Sequence, residues 1–178
     1  MGTKRKKIIL NILSSGTPGI SKVCGEYLVE AGAVCLDSQG HANGAELTIF
    51  GYFNEKYFLY WPNVTDQMRR SWNDLEVAKE NGAYCIAVLI IMELTNYTVV
   101  ERSRKGTGFD YWLGKEGSLL FQDKARLEVS GIGKGDNSAI NTRLKEKIVQ
   151  TNPSDNTGLP AYIVIVEFGS PQAKVEKK

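Results

Sequence analysis

Residues 161–168 read Ala-Tyr-Ile-Val-Ile-Val-Glu-Phe, a nearly continuous apolar run that follows a loop rich in Pro, Asn, Asp and Gly at 151–160. A strand without alternation has no face to offer water. It belongs in the middle of a sheet, with material packed on both sides. That requirement points to an α/β or α+β fold with a mixed central sheet. The chain has 178 residues, 42% of them hydrophobic and 24% charged. Such a chain suits a single domain, 1–178, that buries its own core.

The other elements are read from periodicity and punctuation. Residues 1–18 end in Ser14-Ser15-Gly16-Thr17-Pro18 and read as loop; Lys4-Arg5-Lys6-Lys7 is a solvated basic start or a phosphate contact. Val23, Tyr27, Leu28 and Ala31 recur at helical spacing over 20–31, with Ser21 placed to cap the start and Gly32 the end. Residues 46–53 and 56–61 form a β-hairpin dense in rings: Phe50, Tyr52, Phe53, Tyr57, Phe58, Tyr60 and Trp61. These rings either pack on a helix or present a stacking surface. A helical pattern covers 69–94, amphipathic before Gly82 and apolar nearly all round after it. The stretch 83–93 also fits a buried strand. Strands are expected at 97–103, 108–114 and 120–131, and a helix at 138–149 capped by Asn137 or Ser138. The charged segment 172–178 reads as a frayed tail. The result is an α-β-β-β-α-β core over 69–169, preceded by an N-terminal helix and an aromatic β-hairpin.

Composition narrows the function. The 22 basic and 20 acidic residues give a net charge of +2, with no global drive toward nucleic acid or an anionic membrane. One histidine and three cysteines without a Cys-x-x-Cys pair make a structural zinc site a poor fit. Cys24, Cys35 and Cys85 read as small buried apolar residues, and a Cys35–His41 catalytic pair lacks an orienting third group. The longest apolar run, 83–92, is too short to span a bilayer. An odd cysteine count and no secretory signal favour a reducing, cytoplasmic setting.

The residues that could carry chemistry are two acids on neighbouring strands. Asp110 lies in Gly-Thr-Gly-Phe-Asp-Tyr-Trp-Leu-Gly, residues 106–114, and Glu128 in Ala-Arg-Leu-Glu-Val-Ser-Gly, residues 125–131. Paired strands put their apolar faces on one side, so alternation places Asp110 and Glu128 together on the other. Two such carboxylates can hold Mg²⁺ through oxygen. The ion lowers the pKa of bound water and steadies charge on a phosphate. Lys124 and Arg126 share the predicted face of Glu128, and Lys124 is the candidate assisting cation. Equally, the acids could pair across strands with Lys124, Arg126 or Arg102 and do nothing more.

The element order, with an acid on the second strand and another on the third, resembles the core of the PD-(D/E)XK nuclease-like superfamily. The resemblance covers residues 69–169. It maps the motif aspartate onto Asp110 and the (D/E)xK onto Glu128-Val129-Ser130, so Ser130 stands where the motif has lysine. It implies Mg²⁺-dependent phosphodiester hydrolysis, with Lys124 or Lys134 as a relocated lysine and Glu76 or Glu80 as the acid of the first helix. The chain is also similar to a group of small bacterial proteins, compatible with cargo of mobile or defence-related DNA. That second likeness carries no activity. The alternative is a non-catalytic module on the same core, binding a protein partner, another copy or nucleic acid through the hairpin.

Overall fold

The computed structural model describes residues 5–115, 117 and 124–178. All eight strands belong to one mixed sheet. They are β1 (Lys7–Ile9), β2 (Ala45–Gly51), β3 (Glu55–Tyr60), β4 (Tyr97–Arg102), β5 (Tyr111–Lys115), β6 (Ala125–Ile132), β7 (Ala161–Glu167) and β8 (Gln172–Lys177), in spatial order β1-β3-β2-β8-β7-β6-β5-β4. The helices are α1 (Lys22–Ser38), α2 (Asp66–Ser71), α3 (Leu75–Leu94) and α4 (Asn137–Gln150), with 3₁₀ turns at Leu10–Ser15 and Asn152–Thr157. The expected mixed-sheet α/β or α+β architecture is therefore present, and α3-β4-β5-β6-α4-β7 follows the α-β-β-β-α-β order.

Strand β7 explains the layering. All seven of its residues are buried. Tyr162, Val164 and Val166 face the large core built with α1 and α3, whereas Ala161, Ile163 and Ile165 face Ile140 and Leu144 of α4. The sheet is thus covered on both faces at its centre, as an unalternating strand demands. Strands β4, β5 and β6 form an antiparallel meander, and β6 runs parallel to β7.

Four local expectations change. Helix α1 does not stop at Gly32 but runs to Ser38. Gly32 is a packing residue: a Cβ on Gly82 of α3 would lie 3.0 Å from the Gly32 Cα. These two glycines let the helices touch backbone to backbone, and α3 passes unbroken through Gly82 for the same reason. Its buried run from Gly82 to Ile91 is helical, wedged between α1 and the sheet. The helical pattern expected from 69 is interrupted after α2, and Asp74 starts α3 by accepting from Glu76 N and Val77 N. Nor is residues 1–18 all loop: β1 pairs with β3, and Leu10 and Leu13 are fully buried.

The segment expected to fray is an interior strand. β8 pairs parallel to β2 and antiparallel to β7, joining the hairpin half of the sheet to the other half. Its charged residues hide an alternation: Ala173 and Val175 are fully buried while Lys174 and Glu176 are half-buried on the opposite face. Two apolar side chains and a ladder on each edge outweigh the charge. The cap of α4 is Asp136, which accepts from Ala139 N, instead of Asn137 or Ser138. The part of the third expected strand at 120–123 lies outside the described residues.

Candidate active site

Strand β6 has a β5 neighbour only at Ala125, Arg126 and Leu127. From Glu128 to Ile132 it pairs with β7 alone. The β5-side edge of that stretch is therefore open to residues from α3 on one face and α4 on the other. A cleft of about 470 Å³ forms there, lined by Glu76, Lys79, Glu80 and Tyr84 of α3, by Asp110 and Glu128, and by Arg143, Lys147 and Gln150 of α4.

Asp110 reaches this cleft from just outside β5, where a strand from 108 had been expected. Gly108 has φ +81° and sits so close to α4 that a Cβ would fall 2.0 Å from the Gln150 carbonyl oxygen. The chain turns there and becomes regular only at Tyr111. Asp110 N–H donates to the Leu127 carbonyl (2.8 Å), and its Oδ2 accepts from Val129 N–H (2.9 Å). The carboxylate thus ends the ladder where a backbone carbonyl would otherwise stand, beside the residue it was expected to meet. Tyr84 O–H donates to its Oδ1 at 2.9 Å, and Arg102 Nη2 forms an ion pair with it at 3.5 Å. This last contact is the cross-strand pairing that the sequence offered as the non-catalytic alternative.

Glu128 is 1% exposed. Its Oε1 accepts from Lys147 Nζ at 2.7 Å and from Gln150 Nε2 at 2.9 Å. Its Oε2 is buried and no donor among the described residues reaches it; when protonated, the Glu128 carboxyl hydrogen-bonds Asp110. Burial and the neighbouring Asp110 charge push the Glu128 carboxyl well above the usual carboxylate range, and Lys147 opposes them. Two carboxyls in contact favour a shared proton, or a cation between them. Burial, and then the Asp110 charge, likewise push the Tyr84 hydroxyl up, so it remains a donor.

Other candidates fall elsewhere. Lys124 Nζ lies 5.2 Å from the centre of the Trp112 ring, and the lysines lining the cleft are Lys79 and Lys147. Arg126 is 2% exposed and turned to the Asn152–Thr157 segment, where it donates to Thr151 O, Ser154 Oγ, Asp155 Oδ1 and Leu159 O. Lys134 follows β6 and packs against Gly169. Ser130 Oγ accepts from Arg143 at 2.9 Å, so an α4 cation serves the position where the motif has lysine. Both helix acids, Glu76 and Glu80, line the cleft; Glu76 pairs with Lys79, and Glu80 lies 3.2 Å from Tyr84 Oη. Lys147 and Gln150 were not singled out as site residues. The available signal was the spacing of Arg143, Lys147 and Gln150, which shares one helix face.

Cys35 and Cys85 are core residues, with the Cys35 thiol pushed up to about 12 by burial; Cys24 is exposed. His41 Nε2 contacts the Phe168 carbonyl. Among the described residues, no group of three or more His, Cys, Asp or Glu converges as a metal shell. None of the described helices is long and apolar enough to cross a membrane. Of the seven hairpin rings, Tyr57 and Trp61 are buried, four are half-buried and Tyr52 is exposed. No family model, no curated protein and no solved structure matches this chain.

Proposed function

We propose that the cleft is the active site of a divalent-cation-dependent phosphodiesterase acting on nucleic acid. The observation that carries this reading is the buried Glu128 carboxyl beside Asp110, one oxygen of which no donor reaches. An acid kept only for structure would meet donors on both oxygens and no second acid. Asp110 and Glu128 would hold a Mg²⁺, and two carboxylates suffice because Mg²⁺ keeps water and takes substrate phosphate in the rest of its shell. When bound, the ion supplies a water of lowered pKa and positive charge at the phosphate.

The chain's own groups do the remaining work. Tyr84 O–H and Val129 N–H fix the two oxygens of Asp110. Lys147 and Gln150 fix one oxygen of Glu128 and leave the other directed to the ligand. Lys147 and Arg143 bring two positive charges from α4 to a cleft whose α3 side carries Glu76, Glu80 and Lys79, and there they favour a phosphate. Lys147 thereby takes the part that the resemblance gave to a lysine near Ser130. The hairpin alternative has a narrower basis, because Tyr52 is the exposed ring in a surface that is otherwise half-buried or buried.

The test is cleavage of labelled single-stranded and duplex DNA and RNA with Mg²⁺ or with chelator. Asp110→Ala, Glu128→Ala and Lys147→Met should each lose activity by about a hundredfold or more, by analogy with removal of one electrostatic group at a reacting centre. Retention of wild-type cleavage by Glu128→Ala, or no cleavage and no Mg²⁺-dependent thermal shift in the wild type, would refute the reading.

A further inference from the structure

The side chain that stands out beside the carboxylate pair is Arg102, the last residue of β4. Its guanidinium lies over two tyrosine rings, 4.8 Å from the centre of Tyr84 and 4.6 Å from that of Tyr111. Nη2 donates to Tyr84 Oη at 3.3 Å and stands 3.5 Å from Asp110 Oδ1. The side chain is nevertheless 52% exposed, whereas Asp110 is 15% exposed. It is thus a permanently charged group beside the cleft, held against two of the residues that line it, Tyr84 and Asp110. Stacking on both rings holds the plane of the fork, which a flexible ammonium would not reproduce.

Charge decides what such a group does. A cation a few ångströms from Asp110 lowers the negative potential that a divalent ion would feel, and it cannot be titrated away. The same charge, with solvent-facing N–H donors, attracts a phosphate. The two effects have opposite signs for the two ligands. We propose that Arg102 is a specificity-determining counter-cation, which weakens binding of the free divalent ion and strengthens binding of the phosphodiester. The protein would then take up Mg²⁺ best together with the anionic substrate, because the phosphate neutralises Arg102. This inference rests on the phosphodiesterase reading of the cleft.

The experiment measures two bindings separately. Thermal-shift titration with Mg²⁺ alone is compared for the wild type, Arg102→Gln and Arg102→Lys. Removing one positive charge beside a divalent site should lower the Mg²⁺ midpoint on the order of tenfold for Arg102→Gln, and Arg102→Lys, which keeps the charge, should stay near the wild type. Fluorescence anisotropy of a labelled DNA oligonucleotide, in a Glu128→Gln background that blocks turnover, should show weaker binding for Arg102→Gln on the order of tenfold. Melting without Mg²⁺ checks that the variants fold. A midpoint that is unchanged or raised in Arg102→Gln, with Mg²⁺ binding intact in the wild type, overturns the role of Arg102 and leaves the phosphodiesterase reading standing. Equal loss in both variants overturns it too, because it assigns Arg102 a packing role. Absence of any Mg²⁺ response in the wild type overturns the parent reading and the inference with it.

Discussion

Glu128 and Glu167 lie on adjacent parallel strands, toward opposite ends of the β6–β7 pair, and each is 1% exposed. Burial alone would class them together. Their surroundings separate them. Glu167 accepts from Gly169 N (2.7 Å) and Gly135 N (3.3 Å) on one oxygen, and from Ser170 N (2.9 Å) and Gln172 Nε2 (3.2 Å) on the other. Both oxygens are occupied, and the donors belong to the β7–β8 turn, the first residue of β8 and the loop before α4. Glu128 has donors on one oxygen only and a second carboxylate as neighbour. A buried acid with donors on both oxygens holds a turn, whereas one that faces like charge carries a cost that a proton or a cation relieves.

The largest effect expected from this contrast is on stability at Glu167. Glu167→Ala leaves three backbone N–H groups without their acceptor and loosens the turn into β8. It should cost about 2–3 kcal/mol in urea unfolding. Glu128→Gln, by contrast, removes repulsion with Asp110 and keeps the volume, so it should change stability by less than about 1 kcal/mol. A large loss in Glu128→Gln would break the comparison.

The second effect is on pH. The folded protein holds Glu128 protonated to a higher pH than the unfolded chain, whose carboxyl titrates near the ordinary 4.5. The folded state therefore binds more protons over that interval. The contribution is complete below pH 4.5 and is lost as pH rises toward about 8. Melting temperature followed from pH 5 to pH 8.5 should show this loss in the wild type and a flatter profile in Glu128→Gln. Mg²⁺ should offset it most at the alkaline end, where the ion replaces the proton. A profile identical in both proteins would remove Glu128 from the account.

The smallest effect concerns Lys147. Lys147→Met deprives Glu128 of its charged donor while Gln150 remains. Stability should fall by about 1 kcal/mol near pH 8 and by less near pH 5, where the acid is neutral in either protein. Equal losses at the two pH values would show that Lys147 contributes only packing.

Much of the fold was legible because its signals are local. The apolar run at 161–168 required a central strand, and periodicity indicated the helices before and after the meander, although 83–93 also fitted a buried strand. Asp110 and Glu128 emerged from strand alternation, although Asp110 reaches Glu128 by ending the ladder and not by lying within β5. Glycine was misleading at position 32, since a helix stop and a close helix contact use the same residue. The charged tail was misread because two buried residues among six are too weak a pattern until β2 and β7 supply the edges on either side.

The sequence by itself determined the α-β-β-β-α-β order, the two acids and the lack of a lysine at Ser130. These depend on residue type and spacing along the chain. Tertiary structure alone decided that β6 outruns β5, that α3 and α4 both reach the gap, and that Lys147, Gln150, Tyr84 and Arg102 surround the acid pair. Those relations depend on where strands stop and which helix faces meet across the sheet. Such contacts join residues far apart in sequence, and no local pattern encodes them.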